Sequence, residues 1–281
     1  MASNNEKTQK TLQKALAINL NNCQYGSIVE IGAGQEVARN FFQAGGAAGT
    51  IAKTLSAYDM QVSDSIYGAE ESKRYVTRSR LMKMLDREYT AVTNLLTESR
   101  PKNTTFFSYA ATVTAKSYLQ KNECHGWLGI RLQLYPGAAP SDIIVHVRML
   151  DNDGGSQQEA LGVVGVNLIH AAFNYYTQPK KIIESIVDDL DPCRIEVDSI
   201  NFSGPYFEEV ENRLMNLHLV HNNLTHAIMF SPEGEVQVPS ELLYKKNILV
   251  IRGTFTPLTN VHQDMVQCGQ RHFNQVENID T

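Results

Sequence analysis

Four cysteines, Cys23, Cys124, Cys193 and Cys268, are scattered through 281 residues with no C-x-x-C pair. That spacing excludes a disulfide-stapled scaffold and a zinc ribbon, and it fits reduced thiols. No apolar run reaches the roughly 18 residues a membrane helix needs; the nearest, Ala160–Phe173, is shorter and contains Asn167 and His170. The polar start MASNNEKTQKTLQK lacks the apolar core of a secretory signal. A soluble, cytoplasmic protein without membrane attachment is therefore expected. Basic residues are also short: 25 against 30 acids leave a net charge of −5, which argues against a broad duplex nucleic-acid footprint.

What is present is ordinary globular material, 42% hydrophobic and 20% charged, enough for a sizeable core. Leu81, Leu85, Tyr89, Val92 and Leu96 mark one face of a helix over 78–98, ended by Pro101. The period then changes to two. Phe107 to Val113, Leu128 to Leu134 and Val145 to Met149 alternate apolar and smaller or polar residues, which predicts an antiparallel meander of three strands. Ser156 and Glu159 suggest a capping box for a helix running to about Tyr176, apolar nearly all round and so central. Strands near 194–200, 225–230 and 248–252 alternate with helices over 182–190, 206–221 and 260–274. This order predicts mixed α/β architecture, with a central antiparallel β-meander packed with helices, followed by a βαβ-wound C-terminal part. The boundary falls near Asp151–Ser156. It separates an N-terminal α/β part (1–155) from a C-terminal one (156–281), with a single domain as the alternative.

Several constellations could carry chemistry. If the last third is a parallel sheet, its strand ends run into Ser203-Gly204 and Arg252-Gly253-Thr254. Open α/β sheets bind ligands at that edge, so Ser203, Gly204, Arg252 and Thr254 are the leading contacts for a nucleotide or other small anion. A second constellation is Ser27-Ile-Val-Glu-Ile-Gly-Ala-Gly34, a strand leading into a G-x-G turn. It resembles the cofactor loop of S-adenosylmethionine methyltransferases and nominates Glu30, Gly32, Gly34 and Asp59. Gln35 and Glu36 stand where a further glycine belongs, and Asp59 is 29 residues beyond Glu30, farther than the roughly 20 of a compact dinucleotide unit.

Weaker patterns remain. Ala47–Thr54 has the outline of a phosphate loop, with alanine at both required glycine positions, and reads better as a turn into a helix. His218, His221 and His226 are a metal candidate without an H-E-x-x-H motif. Asp188, Asp189 and Asp191 oppose the dipole at a helix C-terminus, a conflict that can mark a cation or a basic partner. Cys124 and His125 are sequence neighbours without a demonstrable pairing, and His146 and His170 read as core histidines. No catalytic residue or resident cofactor emerges. Binding of a small anion or nucleotide, a non-catalytic assembly role with a homo-oligomer, and a methyltransferase stay open, in that order.

The segments YGSIVEIGAGQEVARNFF, GTIAKTLSAYDMQVSDSIYG, CHGWLGIRLQ, DIIVHVRMLDNDGGSQQEALGVVGVNLIHAAF and ILVIRGTFTPLTNVHQDM together resemble a family of uncharacterised soluble bacterial proteins. Its members often carry the labels "TonB-dependent receptor" or "nicotinate-nucleotide adenylyltransferase". The resemblance covers nearly the whole chain and implies that this chain stops short of the family's full length. The residues support neither label. A receptor barrel needs a long series of amphipathic strands, and an adenylyltransferase would show an H-x-G-H or T-x-G-H turn after its first strand. The resemblance therefore implies membership without a mechanism.

Overall fold

The computed structural model describes residues 2–116 and 124–277. In chain order the elements are α1 (Ala2–Asn19), β1 (Gln24–Ile31), α2 (Glu36–Ala44), β2 (Ile51–Leu55), α3 (Met60–Tyr67) and α4 (Arg78–Leu96). Next come β3 (Thr105–Thr114), β4 (His125–Leu132), β5 (Ser141–Met149), α5 (Gly154–Asn174), α6 (Pro179–Ser185) and β6 (Ile195–Ser203). The chain continues through α7 (Asn212–His221), the short strands β7 (Met229–Phe230) and β8 (Val236–Gln237), α8 (Pro239–Leu242) and α9 (Asn260–Glu277). The described residues divide into two units, Met1–Val238 and Pro239–Thr281. Residues 151–156, the end of the β5–α5 connection and the first turn of α5, lie inside the first of these.

Six strands form one mixed sheet in the order β2-β1-β3-β4-β5-β6. β1 is parallel to both β2 and β3, while β3, β4, β5 and β6 run antiparallel in succession. The mixed α/β class and the central meander are those the sequence predicts. The parallel crossovers lie at the N-terminal edge, through α2 and through α3–α4. The last third gives the main sheet only β6, antiparallel to its neighbour.

Alternation in the meander sorts side chains onto two faces. One carries Phe107, Tyr109, Leu128, Ile130, Leu132, Ile143, Val145 and Val147, all buried against α5 in the main core. Helix α5 contributes Ala160, Leu161, Val164, Leu168, Ile169 and Ala172 to that core, as its all-round apolarity predicts. At Gly165 an added Cβ would lie 2.2 Å from Val37 and 2.7 Å from the Tyr109 hydroxyl, so α5 comes close to α2 and β3 because a side chain is missing there. The opposite face is partly covered by α4, whose Leu81, Met84 and Leu85 pack with Trp127 and Ile144.

Four local expectations are corrected. Asp153, not Ser156, caps α5 by accepting from the Ser156 N–H at 2.8 Å. Ala47–Thr54 opens no helix; it forms a 3-10 turn at Ala47–Gly49 and then strand β2, because Thr50, Ile51 and Thr54 are β-branched. The expected strand at 225–230 is reduced to Met229–Phe230, paired with β8. Residues 248–252 form no strand: they lie in the second unit, where no described side chain of 239–275 is buried, so the apolar run has no sheet to join.

The outer edge of β6 is closed by side chains. Asn216 accepts from the Ile200 N–H at 3.0 Å and donates to its carbonyl at 2.7 Å. Asn212 does the same for Phe202 at 2.8 and 2.9 Å. Two amides four residues apart on α7 thus replace the ladder of a further strand.

Candidate functional site

The α4-side face holds the polar strand residues. Antiparallel register sets Trp127 opposite His146, His125 opposite Arg148 and Arg131 opposite Asp142. Between β5 and β6 the register slips at His146/Val147. Pairing passes from Ser199 to Val197, so Asp198 is the extra residue of a bulge, a device that re-aims a side chain. Asp198 turns onto this face and meets His146.

A hydrogen-bonded line results. His146 Nδ1 lies 2.5 Å from Asp198 Oδ1, and His146 Nε2 lies 3.0 Å from His125 Nδ1. The Trp127 ring packs on His146 with centroids 4.8 Å apart. His146 is fully buried, Asp198 is 7% exposed and His125 is 9% exposed. Burial pushes the His125 imidazole down to about 4, aided first by the neighbouring His146 and then by the charges of Arg74 and Arg148, and opposed by Asp198. His125 is therefore neutral at pH 7. The flanking Arg148 is itself held by Glu196 at 2.8 Å, and Glu196 also accepts from Thr225 at 2.6 Å.

The G-x-G turn is built differently from a cofactor loop. The Glu30 carboxylate accepts from the Val37 and Ala38 N–H groups at 3.1 and 2.9 Å. The chain's own side chain thus occupies the amides at the start of α2 that would otherwise favour an anion. Burial raises the Glu30 carboxyl to about 7 despite those hydrogen bonds. Gly32 has φ +102° and sits against the Val113 carbonyl, while Gly34 has φ +74° and donates to the Tyr58 hydroxyl at 2.7 Å. Asp59 caps α3 through the Val62 N–H at 2.9 Å. Beside Glu30, a cavity of about 10 Å³ is lined also by Tyr109, Val113, Leu128 and Leu161. The Tyr109 hydroxyl is buried there without a protein partner. The space suits a single water and no larger ligand.

The other nominated residues fall as follows. Ser203 ends β6, and Gly204, at φ +94°, packs on Ser141. Arg252 and Thr254 belong to the second unit, in a segment without regular structure. The parallel strand ends that were to unite these four do not form. His218 pairs with Glu184 at 3.3 Å and stacks on His221 at 5.8 Å, and His226 is exposed. No group of three His, Cys, Asp or Glu among the described residues is arranged to hold a metal ion. The aspartates that oppose the helix dipole find basic partners within the chain: Lys14 meets Asp188 at 2.8 Å and Lys10 meets Asp189 at 3.6 Å, both from α1. Asp191 caps the Cys193 N–H.

The histidine line was missed because His146 reads as core in its own strand and His125 stands out only as the neighbour of Cys124. The available signal was shared parity: His125 and Trp127, like His146, occupy positions opposite to the apolar set of their strands. Asp198 had no such signal, because a bulge is invisible to alternation.

No family model matches the chain, and no curated protein matches it. Solved structures do. A competence/damage inducible protein, CihA, from Agrobacterium tumefaciens aligns with TM-score 0.43 and 12% identity, over 59% of this chain and 94% of that one. A competence-damaged protein (CinA) superfamily member from Klebsiella pneumoniae gives 0.41 and 9%, over 60% and 97%. A competence or damage-inducible protein from Enterobacter asburiae gives 0.40 and 13%, over 58% and 96%. The expected bacterial family is corrected accordingly: the matching structures carry CinA-type names, not the receptor or adenylyltransferase labels. At these scores the likeness carries no functional argument. Among the described residues no helix is long and apolar enough to cross a membrane.

Proposed function

We propose that the protein binds a small anionic ligand of the nucleotide class on the α4-side face, at His125. The observation that carries this reading is the His125 imidazole, opposite Arg148 in the strand register, under the charge of Arg74, and hydrogen-bonded from behind to His146, which in turn meets Asp198. Guanidinium groups draw and orient anions. The buried line beneath fixes the imidazole, so little ordering is left to be done on binding. The Ser203, Gly204, Arg252 and Thr254 proposal concerned the same ligand class; the basis now moves to residues that one sheet face brings together.

A thermal-shift panel of ATP, NAD, nicotinate mononucleotide, S-adenosylmethionine and Mg²⁺ tests this. At 100 times its Kd a ligand adds about 2.7 kcal/mol, a rise of roughly 5 °C or more. A nucleotide shift that Arg74→Gln reduces is expected. A shift with S-adenosylmethionine alone would favour the Glu30 loop. A flat panel would favour the second reading, an assembly role. That reading draws on the second unit, where Val250 is 79% exposed, Val261 67% and Leu258 62%. Light scattering giving a strict monomer would count against assembly.

A further inference from the structure

We infer that the second unit pairs with a second copy of the chain, strand to strand along 248–252 and over the neighbouring flank of α9. The inference deepens the assembly reading, on which it rests, and is independent of anion binding at His125. The unit has two layers and no core: no described side chain of 239–275 is buried. Residues 248–252, Ile-Leu-Val-Ile-Arg, lie on α9. An added Cβ at Gly269 would meet the Leu249 methyls at 3.4 and 3.5 Å and Ile251 at 3.9 Å. Phe255 then returns to the helix by an edge contact with His262, ring centroids 5.0 Å apart. The alternate side chains stand away from α9, with Ile248 47% and Val250 79% exposed. Among the described residues the segment joins neither sheet. It has the β-branched, apolar composition of a strand and no ladder, the condition in which a strand adds to another chain.

Helix α9 continues this apolar surface. Its half-buried positions, His262, Gly269 and Phe273, share one helical face, while Val261, Met265 and Cys268 follow the adjoining stripe and are exposed. From Ile248 to Val266, eight large apolar side chains are 36–79% exposed, enough surface for the roughly 800 Å² that each partner gives a standard interface. Charge narrows the occupant. Residues 239–281 carry four basic and four acidic side chains, so the unit is neutral and the chain's −5 lies in 1–238. A neutral apolar face offers little to a nucleic acid, an anionic membrane surface or a strongly charged peptide. A second copy matches it, because a two-fold contact brings one patch against itself. Antiparallel pairing centred on Val250 gives the segment the ladder it lacks and sets that side chain beside its counterpart.

The test is sedimentation of the full chain over a concentration series, with hydrogen exchange of the 248–252 amides followed alongside. The wild type is expected to be a dimer whose 248–252 amides gain protection as concentration rises. Val250→Asp should weaken that dimer by about tenfold or more, since it brings two carboxylates together in an apolar contact. Leu95→Asp, at a position on α4 that is 76% exposed, should leave it unchanged. The exchange measurement uses the wild type alone and so holds even where a variant folds poorly. A dimer that Val250→Asp leaves intact overturns the inference and leaves the assembly reading standing, because the copies then meet elsewhere. So does a dimer whose 248–252 amides exchange equally fast at every concentration. A monomer throughout the series removes both, and protected amides in that monomer would show the chain covering the segment itself.

Discussion

The two faces of the central sheet are made from the same strands and follow opposite rules. On the α5 side Leu128, Ile130, Ile143, Val145 and Val147 are fully buried, and the carboxylate there, Glu30, is turned to the start of α2. On the α4 side the residues between them in sequence include His125, Arg131, Asp142, His146 and Arg148, tied by ion pairs and an imidazole line. A strand buried on both faces usually reads as continuous apolar sequence. Where polar groups occupy one buried face, their satisfaction is bought only by pairing with one another. The comparison separates a face that stabilises from a face equipped to act.

Breaking the first face should cost most. Ile130→Ala removes a fully buried side chain and is expected to lower unfolding free energy by about 2–5 kcal/mol, read by urea denaturation. On the second face, Asp198→Ala leaves His146 without its carboxylate and should cost about 1–3 kcal/mol. It should also release the tautomers of both histidines in ¹⁵N spectra, an effect Ile130→Ala should lack. Gly165→Ala crowds α5 against α2 and β3 and should lose about 1–3 kcal/mol by overpacking.

Acid titration distinguishes the faces by sign. The folded-state value of His125, about 4, lies below its ordinary 6.5. The unfolded chain binds more protons in that window, and this contribution is lost as pH falls from 6.5 to 4. Glu30 behaves inversely: raised from 4.5 to about 7, it holds its proton in the folded state, and its contribution is lost as pH rises through that range. The two oppose each other between about 4.5 and 6.5. Glu30→Gln should therefore make Tm climb more steeply with pH across that interval, and His125→Phe should flatten or reverse the climb. A Tm profile unchanged in Glu30→Gln would show that this carboxyl titrates normally. The smallest effect belongs to the exposed end of the polar face: Arg148→Gln, breaking its pair with Glu196, should cost below about 1 kcal/mol.

Much of the fold was readable where one period persisted. The Leu81–Leu85–Tyr89–Val92 stripe gave α4 within two residues, and alternation located all three meander strands. Reading failed where tertiary context decides. β2 is only five residues long and followed glycines that suggested a phosphate loop. The run at 248–252 has strand composition without a neighbouring strand. The cap of α5 went to Asp153 because an aspartate three residues before Ser156 reaches its N–H directly. Of the nominated site residues, Glu30, Gly32 and Gly34 do share one turn, but that turn is closed on itself. The histidine line depends on register between β4, β5 and β6, which no single segment contains.

The asparagine amides that line β6 set a limit to the sheet on one side. At that margin Asn212 and Asn216 already imitate a neighbouring chain, so an incoming strand would have to displace them before it could dock. At the other margin β2 has no strand beyond it among the described residues. Any protein that recruits this sheet by lending it a strand, or any misfolded copy that templates on it, meets a sealed border at β6.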